Sequence, residues 1–179
     1  MATVAACVRY RDRGVVGVGL GGRKEIGRLR ELAPAFATAR DEGLAVVPHA
    51  GEMAGAESVR EAMDVLRPVR IRHGVRAVED PALVAELVEG EVVLDVCPTS
   101  NVRTGAVASL EEHPLPVLIA AGVRCTVSTD DRAMFGNDLS REYAAVAAMG
   151  VDLASVYEAG VFGAQCDAAL KATLQALAR

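Results

Sequence analysis

One rhythm constrains this chain more than any other feature. Short apolar, valine-rich runs recur, and each is followed by helical material. The runs are VVGVGL (15–20), LAVVPHA (44–50), VRIRHG (69–74), EVVLDVCPTSN (91–101) and VRCTVSTDD (123–131). Helical spacing or capping marks 2–13, 25–42, 56–66, 81–90, 109–122 and 139–179. Within 25–42, Leu29, Leu32, Ala33, Phe36 and Ala39 fall on one helical face. Asp80-Pro81 reads as a cap and first turn. In the last stretch, breaks are expected near Gly150 and Gly160. Continuous valine-rich strands alternating with helices predict an α/β fold with a parallel sheet. No fixed-period repeat or Ser/Gly linker interrupts it, so 1–179 reads as one domain, or part of one.

Composition narrows the function classes. The chain has 179 residues, 51% hydrophobic and 24% charged, with a net charge of −5. That apolar fraction excludes disorder. The mildly acidic balance and 3% aromatic content argue against a nucleic-acid partner. No apolar run reaches the roughly 20 residues of a membrane helix, so no membrane partner is expected. The start MATVAACVRYRDRG does not read as a secretion signal. Cys7, Cys97, Cys125 and Cys166 form no C-x-x-C and read as buried thiols of a cytoplasmic protein.

The chemically capable side chains collect just past the predicted strand ends. His49 and Glu52 follow LAVVP, and His73 follows VRI. Cys97, Thr99, Ser100 and Asn101 follow VVLDV, and Asp130 and Asp131 follow VRCTVST. Sites form at that edge of parallel α/β folds because the loops converge there. Taken singly, each has a plainer reading: a histidine after a strand as a loop hydrogen-bonder, Asp130-Asp131 as a helix cap. Their coincidence at successive strand ends favours chemistry. Neutral imidazole and carboxylate suit a zinc ion. Glu52, His73 and Asp131 are the candidates for proton transfer beside it. His113, in EEHPLP, lies away from any strand end and reads as structural.

In this order, PHAGE (48–52), RIRHG (70–74), CPTSN (97–101) and STDD (128–131) resemble the adenosine deaminase family of the amidohydrolase superfamily. MFGNDL and SLEEHPLP are similar to its bacterial branch, and the likeness runs from VVGVGLGG onward. The resemblance implies part of a TIM-type (β/α)8 barrel that removes the 6-amino group of a purine nucleoside by hydrolysis. It implies one zinc ion, held by His49 and Asp130. It makes Glu52 the acid that protonates the purine ring, and has His73 orient or deprotonate the attacking water. It puts Asp131 and Gly22 against the purine. Adenosine is the default substrate, with adenine, deoxyadenosine and aminodeoxyfutalosine handled by related members.

The chain also departs from that pattern. The family's H-x-H ligand pair is absent, since the histidines are His49, His73 and His113. A TIM barrel typically takes ~250 residues. The expectation is therefore about five C-terminal βα units without the first strands, and an incomplete zinc site. Open sheet edges would predispose such a chain to self-association. Gly19, Arg23 and Arg132 replace residue types usual in the family. Two other readings stay open. One is a catalytically inactive remnant. The other is a dinucleotide-binding domain, in which Gly17, Gly19 and Gly22 form G-x-G-x-x-G with Asp41 or Glu42 downstream.

Overall fold

A computed structural model describes residues 2–22 and 29–177. The strands are β1 (Gly17–Leu20), β2 (Ala45–Ala50), β3 (Arg70–His73), β4 (Val93–Val96) and β5 (Cys125–Val127). All neighbouring pairs are parallel, and the spatial order β1-β2-β3-β4-β5 repeats the chain order. The helices are α1 (Ala2–Arg9), α2 (Leu29–Asp41), α3 (Ala56–Leu66), α4 (Pro81–Glu89) and α5 (Pro98–Arg103). They continue with α6 (Leu115–Ala120), α7 (Arg132–Phe135), α8 (Leu139–Ala148), α9 (Leu153–Phe162) and α10 (Ala168–Ala176). Among the described residues, no helix is long and apolar enough to cross a membrane.

Strand order that never reverses is barrel order. A doubly wound sheet reverses direction at a switch point, and dinucleotides bind there. The dinucleotide reading fails for this reason and for a local one. Gly17 and Gly19 lie inside β1, not in a turn after it. A Cβ on Gly17 would meet the Ala45 carbonyl oxygen at 2.9 Å, so strand pairing requires this glycine.

The strands alternate faces. Val18, Val46, Ile71, Leu94 and Val96 are buried on the helix-facing side. They pack with Leu66, Leu83, Leu87, Leu115 and Leu118 in an almost wholly aliphatic core. Fully burying each such side chain contributes about 1.5–3 kcal/mol. The opposite face is polar: His49, Arg72, Asp95 and Thr126 are successive register partners across four strands. Arg70 forms an ion pair with Asp95 on this face.

Caps explain where many helices begin. Asp80, Asp131, Asp138, Asp152 and Asp167 accept backbone N–H groups at the starts of α4, α7, α8, α9 and α10. Such caps contribute ~1 kcal/mol each. Several predicted boundaries shift. The fourth strand ends at Val96, because Pro98 opens α5 and leaves CPTSN helical. The first helix stops at Arg9, and a 3-10 turn over Arg11–Arg13 ends at Gly14 with φ 91°. The start of 25–42, and Arg23, lie outside the described residues. Gly150 does break the chain, with φ 79°. Gly160 does not: it lies inside α9, where a Cβ would press on Thr126 Oγ1 at 3.1 Å. A small residue is needed there for α9 to cross β5 closely.

Candidate active site

Backbone geometry at the strand ends aims the polar side chains. β2 ends at Ala50, and Gly51 follows with φ 64°. β3 ends at His73, itself at φ 65°, followed by Gly74 at φ 70°. The two turns are stitched together: the Gly74 N–H donates to the Ala50 carbonyl at 2.9 Å, and the Arg76 N–H to that of Gly51 at 3.1 Å. A Cβ on Gly51 would lie 2.5 Å from Val59 Cγ2, and one on Gly74 would lie 2.6 Å from Leu94 Cδ2. Both glycines let the turns close over the core. Asp130, past the end of β5, is also left-handed at φ 57°. Side chains other than glycine rarely adopt this conformation, and it concentrates at functional sites.

These turns bring four of the expected residues together. His73 Nε2 lies 3.5 Å from a Glu52 carboxylate oxygen and 3.9 Å from Asp130 Oδ2. The rings of His49 and His73 are 5.4 Å apart between centroids. His49 Nδ1 sits 3.0 Å from the Leu20 carbonyl. A carbonyl only accepts, so Nδ1 carries hydrogen and Nε2 of the neutral ring keeps its lone pair. The Ser100 hydroxyl donates to Asp130 Oδ2 at 2.6 Å. A cavity of about 210 Å³ runs between His49, Arg72, His73, Cys97 and Asp130. A larger cavity, about 610 Å³, opens between α9 and the start of β5 and is lined by Arg124, Phe162 and Lys171. It lies away from the strand carboxyl ends and from the His49–Asp130 constellation.

Gly22 and Asp131 stand apart from this group. Gly22 follows β1 at φ 91°, with open space where a Cβ would be. Asp131 Oδ1 accepts the Met134 N–H at 2.8 Å and starts α7. Neither lines the 210 Å³ cavity.

Further residues support the site from behind. Glu142, on α8, is completely buried. It accepts the Thr99 N–H at 3.1 Å and an Asn137 side-chain N–H at 2.5 Å. Asn137 also donates to the Thr129 carbonyl at 3.0 Å, so the CPTSN and STDD turns are tied through one carboxylate. Cys97 and Cys125 are buried as expected, whereas Cys7 and Cys166 are only partly buried, and the Cys97 thiol is pushed up to about 12 by burial, then by the Asp130 carboxylate. His73, Cys97 and Asp130 offer ligand atoms within 4.8 Å of one another. Sequence reasoning did not find Glu142 or the polar face built by Arg70, Arg72 and Asp95. For the latter a signal existed: charged residues at alternate positions in RIRH, with Asp95 interrupting VLDV.

Five parallel βα units in sequential order, with imidazole and carboxylate at their carboxyl ends, have the arrangement of part of a TIM-type (β/α)8 barrel. The family model for adenosine deaminase matches residues 1–177. The chain belongs to the adenosine deaminase family. It is 55% identical over 174 residues to an aminodeoxyfutalosine deaminase of Acidothermus cellulolyticus, covering 93% of this chain and 49% of that protein. Its structure is similar to that of an adenine deaminase from Arthrobacter aurescens, with a TM-score of 0.84 and 31% identity over 98% of this chain and 57% of the other. An amidohydrolase from Burkholderia ambifaria, with bound Zn, matches with a TM-score of 0.83 and 26% identity over 98% of this chain and 51% of the other. The chain thus spans about half the length of the relatives it matches.

Proposed function

We propose that this site serves the hydrolytic deamination of a 6-aminopurine compound. The observation that carries the reading is the convergence of His49, Glu52, His73 and Asp130 from three strand ends. Substrate size is left open between adenine, adenosine and the larger aminodeoxyfutalosine. The 55% identity to an aminodeoxyfutalosine deaminase supports the last.

We place a zinc ion between His49 and Asp130. The fit rests on the donors: His49 has its Nε2 lone pair aimed away from Leu20, and Asp130 is a carboxylate oriented by Ser100. Nitrogen and oxygen donors of this kind suit zinc, and a partner on the other ring nitrogen is the usual way such a histidine is oriented. When bound, the ion supplies a Lewis acid that makes water nucleophilic near neutral pH. Glu52 delivers a proton to the ring nitrogen beside the reacting carbon, which makes that carbon electrophilic. His73 holds the attacking oxygen in line while the Asp130 carboxylate takes its proton and passes it to the departing amino group. The hydroxyl proton of the tetrahedral adduct returns to Glu52 as ammonia leaves, and Asp131 and Gly22 meet the purine.

The test is a chimera in which this chain replaces the matching half of the Acidothermus cellulolyticus relative. Ammonia release is followed with adenine, adenosine and aminodeoxyfutalosine. Deamination that disappears in Glu52→Gln supports the reading. A folded, zinc-loaded chimera that releases no ammonia from any of the three overturns it.

A further inference from the structure

We infer that His113 and Asn101 are positioning residues that decide which nitrogen of His73 carries hydrogen. The inference deepens the reading of His73 given above, since it concerns what that ring presents to the reacting atoms.

One group in this set of contacts has no choice of role. The Leu115 backbone N–H can only donate, and it lies 3.1 Å from His113 Nδ1. His113 Nδ1 must therefore accept, so the neutral ring carries its hydrogen on Nε2. Burial keeps this ring neutral, pushing its pKa down to about 4. His113 Nε2 lies 3.3 Å from Asn101 Oδ1, to which it donates. That contact fixes the amide, because the flipped form would set two donors face to face. The other end of the amide, Nδ2, can only donate, and it lies 3.1 Å from His73 Nδ1. His73 Nδ1 therefore accepts, and its hydrogen sits on Nε2.

Every member of the relay is buried: His73 is 1% exposed, Asn101 0% and His113 4%. A mismatched pair would leave buried donors unsatisfied. His73 Nε2 is the atom facing Glu52 and Asp130. The relay consequently gives those carboxylates, and the oxygen that attacks the purine, an N–H donor in place of a lone pair. Of the two roles the family resemblance leaves to His73, orienting the attacking water or deprotonating it, this tautomer performs the first.

The test uses the chain itself, labelled with 15N-histidine. It contains three histidines, so long-range 1H–15N correlations separate the rings. The expected result is a bare Nδ1 and a protonated Nε2 in both His73 and His113. In Asn101→Asp both side-chain oxygens accept, so Nδ1 of His73 should gain hydrogen. His113→Leu should leave a mixture at His73. His113→Gln, whose amide both accepts and donates, should restore the single tautomer. A protonated Nδ1 on neutral His73 in the unmodified chain overturns the inference, and that measurement needs no variant to fold. A pure Nε2–H form surviving in folded His113→Leu overturns it as well. Neither readout involves ammonia release, so this inference and the deaminase reading fail separately.

Discussion

His73 and Asp130 share an unusual backbone and face one another: both are left-handed, at φ 65° and 57°, with Nε2 and Oδ2 3.9 Å apart. For a residue bearing a Cβ this conformation costs about 1–2 kcal/mol. Asp130→Ala and Asp130→Gly remove the same carboxylate, but only glycine relieves the backbone. Asp130→Gly is expected to be more stable than Asp130→Ala by about 1 kcal/mol in urea unfolding. Equal stabilities would mean that the turn relaxes once its carboxylate is gone.

Glu52 is the proposed proton donor, and it neighbours His73 at 3.5 Å. Replacing it by glutamine keeps the shape and removes the acid. In the chimera, kcat should fall by about 10²–10⁴-fold, the usual contribution of a positioned acid. KM should change little. Steady-state kinetics decide it; a raised KM with kcat intact would make Glu52 a binding residue only.

Zinc should bind this chain weakly. Among the described residues, the proposed site draws His49 and Asp130 from the protein, whereas a catalytic zinc ordinarily has three protein ligands. Calorimetric titration should show weak binding, lost in His49→Ala. Tight one-to-one binding would show that a further protein donor takes part, with Cys97 the first to examine.

Stability should fall as the solution is acidified through the range of His113. Its pKa in the folded chain is lowered from the ordinary 6.5 to about 4 by burial. The unfolded chain therefore binds a proton first, and stability present above pH 6.5 is lost as the pH falls toward 4. The loss is on the order of 3 kcal/mol for this group. Denaturation midpoints measured between those limits should slope down in the parent chain and flatten in His113→Gln. An unchanged slope would place the acid sensitivity elsewhere.

Gly51→Ala should destabilise the chain by more than 2 kcal/mol, since it combines a positive φ with a Cβ that would lie 2.5 Å from Val59 Cγ2. Thermal unfolding would register this as a lowered Tm. Gly22→Ala has the same backbone strain but open space around it, so its cost should stay near 1 kcal/mol.

Much of the fold was legible because its signals are local. VVGVGL, LAVVPHA and VRIRHG read as strands from β-branched content alone, and Asp80-Pro81 marked the start of α4 from cap chemistry. His49, Glu52, His73 and Asp130 were legible as a group because consecutive parallel strands must bring their carboxyl ends to one side. Helical CPTSN was not, because a proline after a valine run marks a strand end and a helix start equally well.

The residues read in order carry the alternation of strand and helix, the sheet edge where the candidate side chains gather, and the family. Those follow from spacing and residue type, which are properties of neighbours along the chain. The partners of His113 and Glu142 are visible only once the chain is packed. His113 bonds Asn101 from twelve positions away, Asn101 bonds His73 from twenty-eight, and Glu142 bonds Thr99 from forty-three. Their roles arise from hydrogen bonds across that separation, made compulsory by burial: a polar group deprived of water must find its partner inside the protein, and no local pattern says which.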